Sequence, residues 1–102
     1  MTDAREKRLK ALANRHRLQI LEWLRAPTRN FRPQVDGDLE TDGVCAVLIE
    51  EKLGLAQPTT AQHLKALVDA RFLIPKRIKK WTFYRRDEKA IRKFMKELRK
   101  EV

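Results

Sequence analysis

Apolar residues recur along the chain with two different periods. Leu9 and Leu12 lie three apart, and Leu18, Leu21 and Leu24 repeat that interval with Ile20 and Trp23 beside them. Three- and four-residue spacing collects side chains on one side of a helix. It predicts a first helix reaching about Asn14 and a second closed by Pro27. Asp3 and Glu6 have the spacing of a capping box with Asp in place of Ser or Thr. Val44, Val47, Leu48 and Leu53 predict a helix over 44–53, stopped at Gly54 because glycine accepts the positive φ of a C-cap. After a tight turn at Leu55 and Ala56, Pro58 suits the first turn of another helix, where a missing N–H costs nothing. That helix is expected over 58–70.

From Arg71 the period shortens. Phe72-Leu73-Ile74 is an apolar run, Pro75 marks it as an edge strand, and Arg77-Ile78 continues it. Lys79-Lys80 supply a turn, and Trp81 to Arg86 alternates as a return strand. Ile91, Phe94, Met95, Leu98 and Val102 then restore helical spacing, with Lys and Arg filling the other face. Residues 27–43, with Pro27, Pro33, Gly37 and Gly43, read as a connection that is long for a compact domain. A short strand is expected near Phe31–Val35. A surface insertion, a dimer contact and effector binding all remain open for this loop. The fold class that emerges is mainly α with a small antiparallel β-hairpin (α+β), as one domain over 1–102.

The helix after Gly54 carries the first functional signal. On a helical wheel Ala61, Leu64 and Val68 cluster with Leu67 beside them, so that side is expected to pack inward. Thr59, Gln62, Ala66 and Asp69 point outward, flanked by His63 and Lys65. An outward face that is small and hydrogen-bonding near its N-terminus suits the major groove of DNA. Gln can pair bidentately with adenine, and Thr offers a donor, an acceptor and a methyl for thymine. A helix N-terminus also favours phosphate.

Charge extends the picture. The chain has 102 residues with 24 Lys and Arg against 14 Asp and Glu, a net charge of +10. Residues 71–102 carry 13 basic and 4 acidic side chains, whereas 33–51 carry six acidic ones and no basic one. The hairpin basic residues Lys76, Arg77, Lys79, Lys80, Arg85 and Arg86 can follow a nucleic-acid backbone or enter a minor groove. Trp81, Phe83 and Tyr84 are expected mostly to pack the sheet.

The residues now resemble the ArsR family of bacterial winged helix-turn-helix repressors. The resemblance is carried by LKALANRHRLQILEWL at 9–24, by LGLAQPTTAQHLKALVDARFL at 53–73, and by KKWTFYRR at 79–86. It implies a homodimer through the first and last helices, with Leu9, Leu12, Ile91, Phe94, Met95 and Leu98 at the interface. Two reading helices would then sit about 34 Å apart, one DNA turn. It also implies repression at an inverted-repeat operator, read by Gln57, Thr59, Thr60, Gln62 and His63 with Lys65 beside them. Ala56 and Ala61 stand where the family often has serine, and Arg71 where it usually has glycine.

Metal-sensing members of that family place a Cys-x-Cys pair before the reading helix, and here Cys45 is followed by Val47 at the second position. A single thiolate falls short of the two to four such ligands that soft metals want. Another family site uses Asp and His on the last helix, and 87–102 contains no histidine. No metal or cofactor is expected, the effector stays unknown, and Cys45 reads as a small buried apolar residue rather than a redox switch. One cysteine suits a reducing compartment. No apolar run approaches the roughly 20 residues that span a bilayer, and the N-terminus has no apolar signal region, so a cytoplasmic protein without a membrane partner is expected. No nucleophile–base pair or phosphate loop suggests an enzyme. The competing readings are a nonspecific nucleic-acid-coating protein, a protein-interaction module, and a metal or redox sensor using Cys45.

Overall fold

The computed structural model describes residues 4–102, so Asp3 of the expected capping pair lies outside the described residues. Helix α1 spans Ala4–Leu12 and α2 spans Arg15–Arg25. Asn14 separates them in an extended conformation, and its side chain accepts from the amides of His16 (2.9 Å) and Arg17 (3.2 Å), an N-cap. Pro27 ends α2 but also opens a one-turn helix α3, Pro27–Asn30, at the position where proline is tolerated.

The strand expected near Phe31–Val35 does not form. The segment is irregular, and the missing strand pairing is supplied by one side chain. Gln34 Nε2 donates to the carbonyl of Gly43 (2.7 Å), and Gln34 Oε1 accepts from the Cys45 amide (3.1 Å). The amide thus mimics a strand residue along Val44–Cys45, strand β1. The helix expected from Val44 therefore begins two residues later, as α4, Ala46–Leu53. Gly54 caps it at φ 69°, and α5 follows over Gln57–Asp69.

Strands β2, Leu73–Ile78, and β3, Trp81–Arg86, form the expected hairpin, with Pro75 on the outer strand opposite Tyr84. The sheet is larger than the hairpin, because β1 pairs antiparallel with the other edge of β3, Val44 opposite Tyr84 and Cys45 opposite Phe83, giving the order β1-β3-β2. Gly43 makes this pairing possible: at φ 108°, a Cβ there would lie 2.5 Å from the Tyr84 carbonyl. Helix α6, Glu88–Glu101, starts at Asp87, whose carboxylate accepts from the Ala90 amide (3.0 Å).

One main core joins the helices to the sheet around Ile20, Leu24, Val44, Ile49, Leu64, Leu67, Phe72 and Phe94. Leu18 faces solvent instead, with α2 turned so that Ile20, Leu21 and Leu24 enter the core. A half-buried cation covers the edge of the core: the Arg8 guanidinium lies 4.9 Å from the Phe72 ring centre and 4.4 Å from that of Phe94. Arg8 also donates to the carbonyls of Ala70 (2.8 Å) and Ala90 (3.3 Å). It thereby ties α1 to the end of α5 and the start of α6.

Candidate nucleic-acid interface

Helix α4, the turn at 54–56 and α5 make a helix-turn-helix, and the exposed side of α5 lies at its N-terminal end. Gln57, Thr59, Ala61, Gln62 and Lys65 are exposed. Ala56 provides no side-chain cap, so the first-turn amides lack a side-chain acceptor. Lys65 forms an i,i+4 pair with Asp69 at 2.8 Å. Such an exposed pair contributes little and gives way to a phosphate.

Two expected reading residues point inward. Thr60 is 2% exposed and His63 is buried. Leu64 and Leu67 belong to both possible apolar rows of this helix. The row that packs is Thr60, His63, Leu64 and Leu67, which leaves Ala61 outside rather than inside. His63 is held in that row by Arg17 of α2, whose Nε donates to His63 Nδ1 at 3.1 Å. His16 adds a tilted ring contact at 5.5 Å. Burial, then the Arg17 charge, then His16 hold the His63 imidazole below its ordinary range, so it serves as a neutral acceptor. Arg17 had no signal in the sequence beyond its charge. Thr60 Oγ1 has no hydrogen-bond partner among the described residues.

After α5, Arg71 takes φ 66°, and the amides of Phe72 and Arg71 donate to the carbonyls of Leu67 (2.9 Å) and Val68 (3.0 Å). This is a Schellman cap with arginine where glycine is usual. It turns the chain directly from the reading helix into the hairpin wing. Arg77, Lys80 and Arg85 are exposed and form no ion pair among the described residues. Arg77 Nε donates to the Lys79 carbonyl at 3.2 Å, and Lys80 stacks on Trp81.

Arg86 is not a wing contact. Its side chain is only 10% exposed, donating to the Leu21 carbonyl (3.0 Å) and to both Glu88 oxygens. Two wing lysines meet the acidic loop: Lys79 pairs with Asp36 at 3.1 Å and Lys76 with Asp42 at 2.5 Å. The Lys76 ammonium, with the Asp38 amide, holds the Asp42 carboxyl below its ordinary range. That the opposite charges of 36–42 and 76–79 would meet was readable as complementarity between two separate clusters.

The expected dimer face is divided by the way α6 turns. Phe94 is 2% exposed and packs edge-on against Phe72 at 5.4 Å, inside its own chain. Phe94 is therefore core, and Leu12, Ile91 and Leu98 are half-buried against it. Leu9 (39% exposed) and Met95 (49%) stay outside. Arg5 pairs with Glu101, setting α1 beside α6. Cys45 is half-buried, less enclosed than expected, and among the described residues no three His, Cys, Asp or Glu side chains group as a metal site would require. Nor is any described helix long and apolar enough to cross a membrane.

No family model matches the chain. A curated relative does: an uncharacterized HTH-type transcriptional regulator, YbzH of Bacillus subtilis (strain 168), is 45% identical over 93 residues, covering 91% of this chain and 93% of that one. Among solved structures, the homodimeric winged helix-turn-helix DNA-binding domain of Mb0332 from Mycobacterium bovis, a possible ArsR-family regulator, superposes with a TM-score of 0.61 at 27% identity. It covers 87% of this chain and 69% of that one. HlyU from Vibrio cholerae N16961 shares the fold at TM-score 0.59 and 24% identity, over 89% and 84% of the two chains. The ArsR family transcriptional regulator RHA00566 does so at 0.65 and 14%, over 98% and 94%. By their descriptions YbzH and RHA00566 are transcriptional regulators rather than enzymes, and the Mb0332 domain is a DNA-binding one. With helix-turn-helix, wing and a relative alike over nearly its whole length, the chain belongs to the HTH-type transcriptional regulators and has the winged fold of ArsR-family structures.

Proposed function

We propose that this chain is a repressor that binds an inverted-repeat operator as a homodimer, as one winged domain acting in the cytoplasm. Gln57, Thr59 and Gln62 read base edges, Lys65 reaches the flanking phosphate, and Arg77, Lys80 and Arg85 seat the wing on the backbone, with Lys79 joining when phosphate displaces Asp36. The observation that carries this reading is the exposed polar row at the start of α5, together with the exposed wing residues Arg77, Lys80 and Arg85, which form no ion pair among the described residues. Leu9 and Met95 supply the apolar centre of the dimer face, with Leu12, Ile91 and Leu98 at its border. The homodimeric state of the Mb0332 domain supports that arrangement.

Competition binding against random duplex tests the reading. The promoter region of its own gene should win by roughly 10³-fold or more at physiological salt. Gln62→Ala should cost about 1–3 kcal/mol of discrimination, about 5- to 150-fold. Equal affinity for random and promoter DNA, with Gln62→Ala silent, would establish a charge-driven coating protein instead.

A further inference from the structure

The sheet has a second side, and it holds a cavity that DNA binding does not use. Phe83 is buried but stands apart from the main core, facing the 33–37 loop, where Gly37 approaches its ring so closely that a Cβ would lie 3.1 Å away. Beside it opens a cavity of about 440 Å³, within the range of small-molecule sites. Pro33 and Val35 of the loop, Val47 and Leu48 of α4, and Trp81 and Phe83 of β3 form its apolar walls. Val35 (100% exposed), Val47 and Trp81 leave apolar surface open to water at this one place.

Around the cavity the charged and amide side chains have partners, and Cys45 adds only a neutral free thiol. The Gln34 amide is engaged with Gly43 and Cys45, Asp36 with Lys79, and Arg32 with Glu51. A charged occupant would find no unmatched opposite charge there, and would pay for its own desolvation. An uncharged one loses nothing and covers the exposed apolar side chains. The cavity also lies against the contact that neutralises part of the wing, because Val35 and Asp36 are neighbours in the loop and Trp81 follows Lys79-Lys80 in the hairpin.

We propose that this cavity binds a small, uncharged, largely apolar effector, aromatic where it meets Trp81 and Phe83, and that the bound molecule holds Asp36 on Lys79 and so weakens DNA binding. Alone, the exposed Asp36–Lys79 pair is weak, and phosphate competes it away. An occupant bridging Val35 to Trp81 fixes the loop on the wing and removes one cation from the DNA surface. The site stands on the cavity alone, whereas its effect on DNA rests on the reading given under Proposed function.

Nile red, an uncharged apolar fluorophore, tests both parts with the intact chain. Without DNA, its fluorescence should rise saturably with one site per chain. Affinity should fall at least tenfold in Val47→Asp and in Val35→Asp, both exposed positions that folding tolerates. It should be unchanged in Leu18→Asp, an exposed apolar position on α2 that does not line the cavity. Unsaturable binding, or binding that follows Leu18 and ignores Val47 and Val35, overturns the site. With DNA present, saturating dye should weaken binding at least threefold and lower the log–log salt slope by about one. Both effects should vanish in Asp36→Asn. A dye that binds the cavity yet leaves DNA affinity unchanged overturns the coupling. A chain that binds dye but no DNA at all refutes the proposed function and leaves the site standing.

Discussion

Replacing Thr60 by valine separates the family pattern from the packing. The resemblance puts Thr60 among the reading residues, whereas the structure buries it on the inner row of α5 with its hydroxyl unpaired. A buried hydroxyl without a partner costs about 1–3 kcal/mol relative to one that is satisfied or absent. Valine keeps the β-branched shape and a similar volume, and the two residues differ little in helix propensity. Thr60→Val should therefore stabilise the chain by about 1 kcal/mol, raising Tm by about 4–8 °C for a domain of this size. Promoter affinity should not change. The assay is thermal unfolding followed by circular dichroism, paired with a DNA titration. Thr59→Val, one residue earlier and exposed, should do the reverse, leaving Tm alone and weakening specific binding. A lower Tm for Thr60→Val would show that its hydroxyl is satisfied. A loss of specific affinity at unchanged Tm would return Thr60 to the reading face.

Other substitutions probe other parts of the architecture. Gly43→Ala should destabilise by about 3 kcal/mol, visible in urea unfolding, because its Cβ collides with the Tyr84 backbone. Gly54→Ala, also at positive φ but with nothing within 4 Å, should cost only about 1 kcal/mol. Lowering the pH should also destabilise. The unfolded chain protonates His63 near 6.5, whereas the folded imidazole titrates lower, being buried and beside Arg17. Stability from this group is thus complete above pH about 6.5 and is lost as pH falls through that value toward the folded one, so the Tm decline from pH 7 to 5 should flatten in His63→Gln. In the wing, Arg85→Ala should reduce the log–log salt slope of DNA binding by about one, whereas Arg86→Ala should lower Tm and leave the slope unchanged.

The hairpin was legible because alternation, Pro75 and the Lys79-Lys80 turn all spoke for one register. The helix-turn-helix was legible for a similar reason: Gly54 and Pro58 bracket its turn. Strand β1 was not, since two residues have no period and Val44 continued a plausible helical row. The orientation of α5 was half legible. Leu64 and Leu67 serve either apolar row, and what chose between them was Arg17, a long-range partner. Phe94 illustrates the same limit: an amphipathic stripe shows which residues avoid water, not whether their own chain or a second copy covers them. Arg8 against the Phe72 and Phe94 rings had no signal, because a half-buried arginine looks like any surface arginine in a basic sequence. At Arg71 the departure from glycine was readable, and the structure gives that arginine a φ of 66°.

The short strand β1 also orders events in time. Strands β2 and β3 are neighbours in the chain and can zip within about 1–10 μs. Val44 and Cys45 must find Tyr84 and Phe83 across a loop that contains the entire helix-turn-helix, and closing a long loop is entropically costly. Their pairing is expected to come late, after the hairpin that receives it. Until then α4 and α5 hang from one end of the sheet only. The two residues of β1 thus act as the clasp that turns a tethered helix pair into a rigid reader, and a slow or frayed clasp would yield chains that are folded by most measures yet unable to hold their register on DNA.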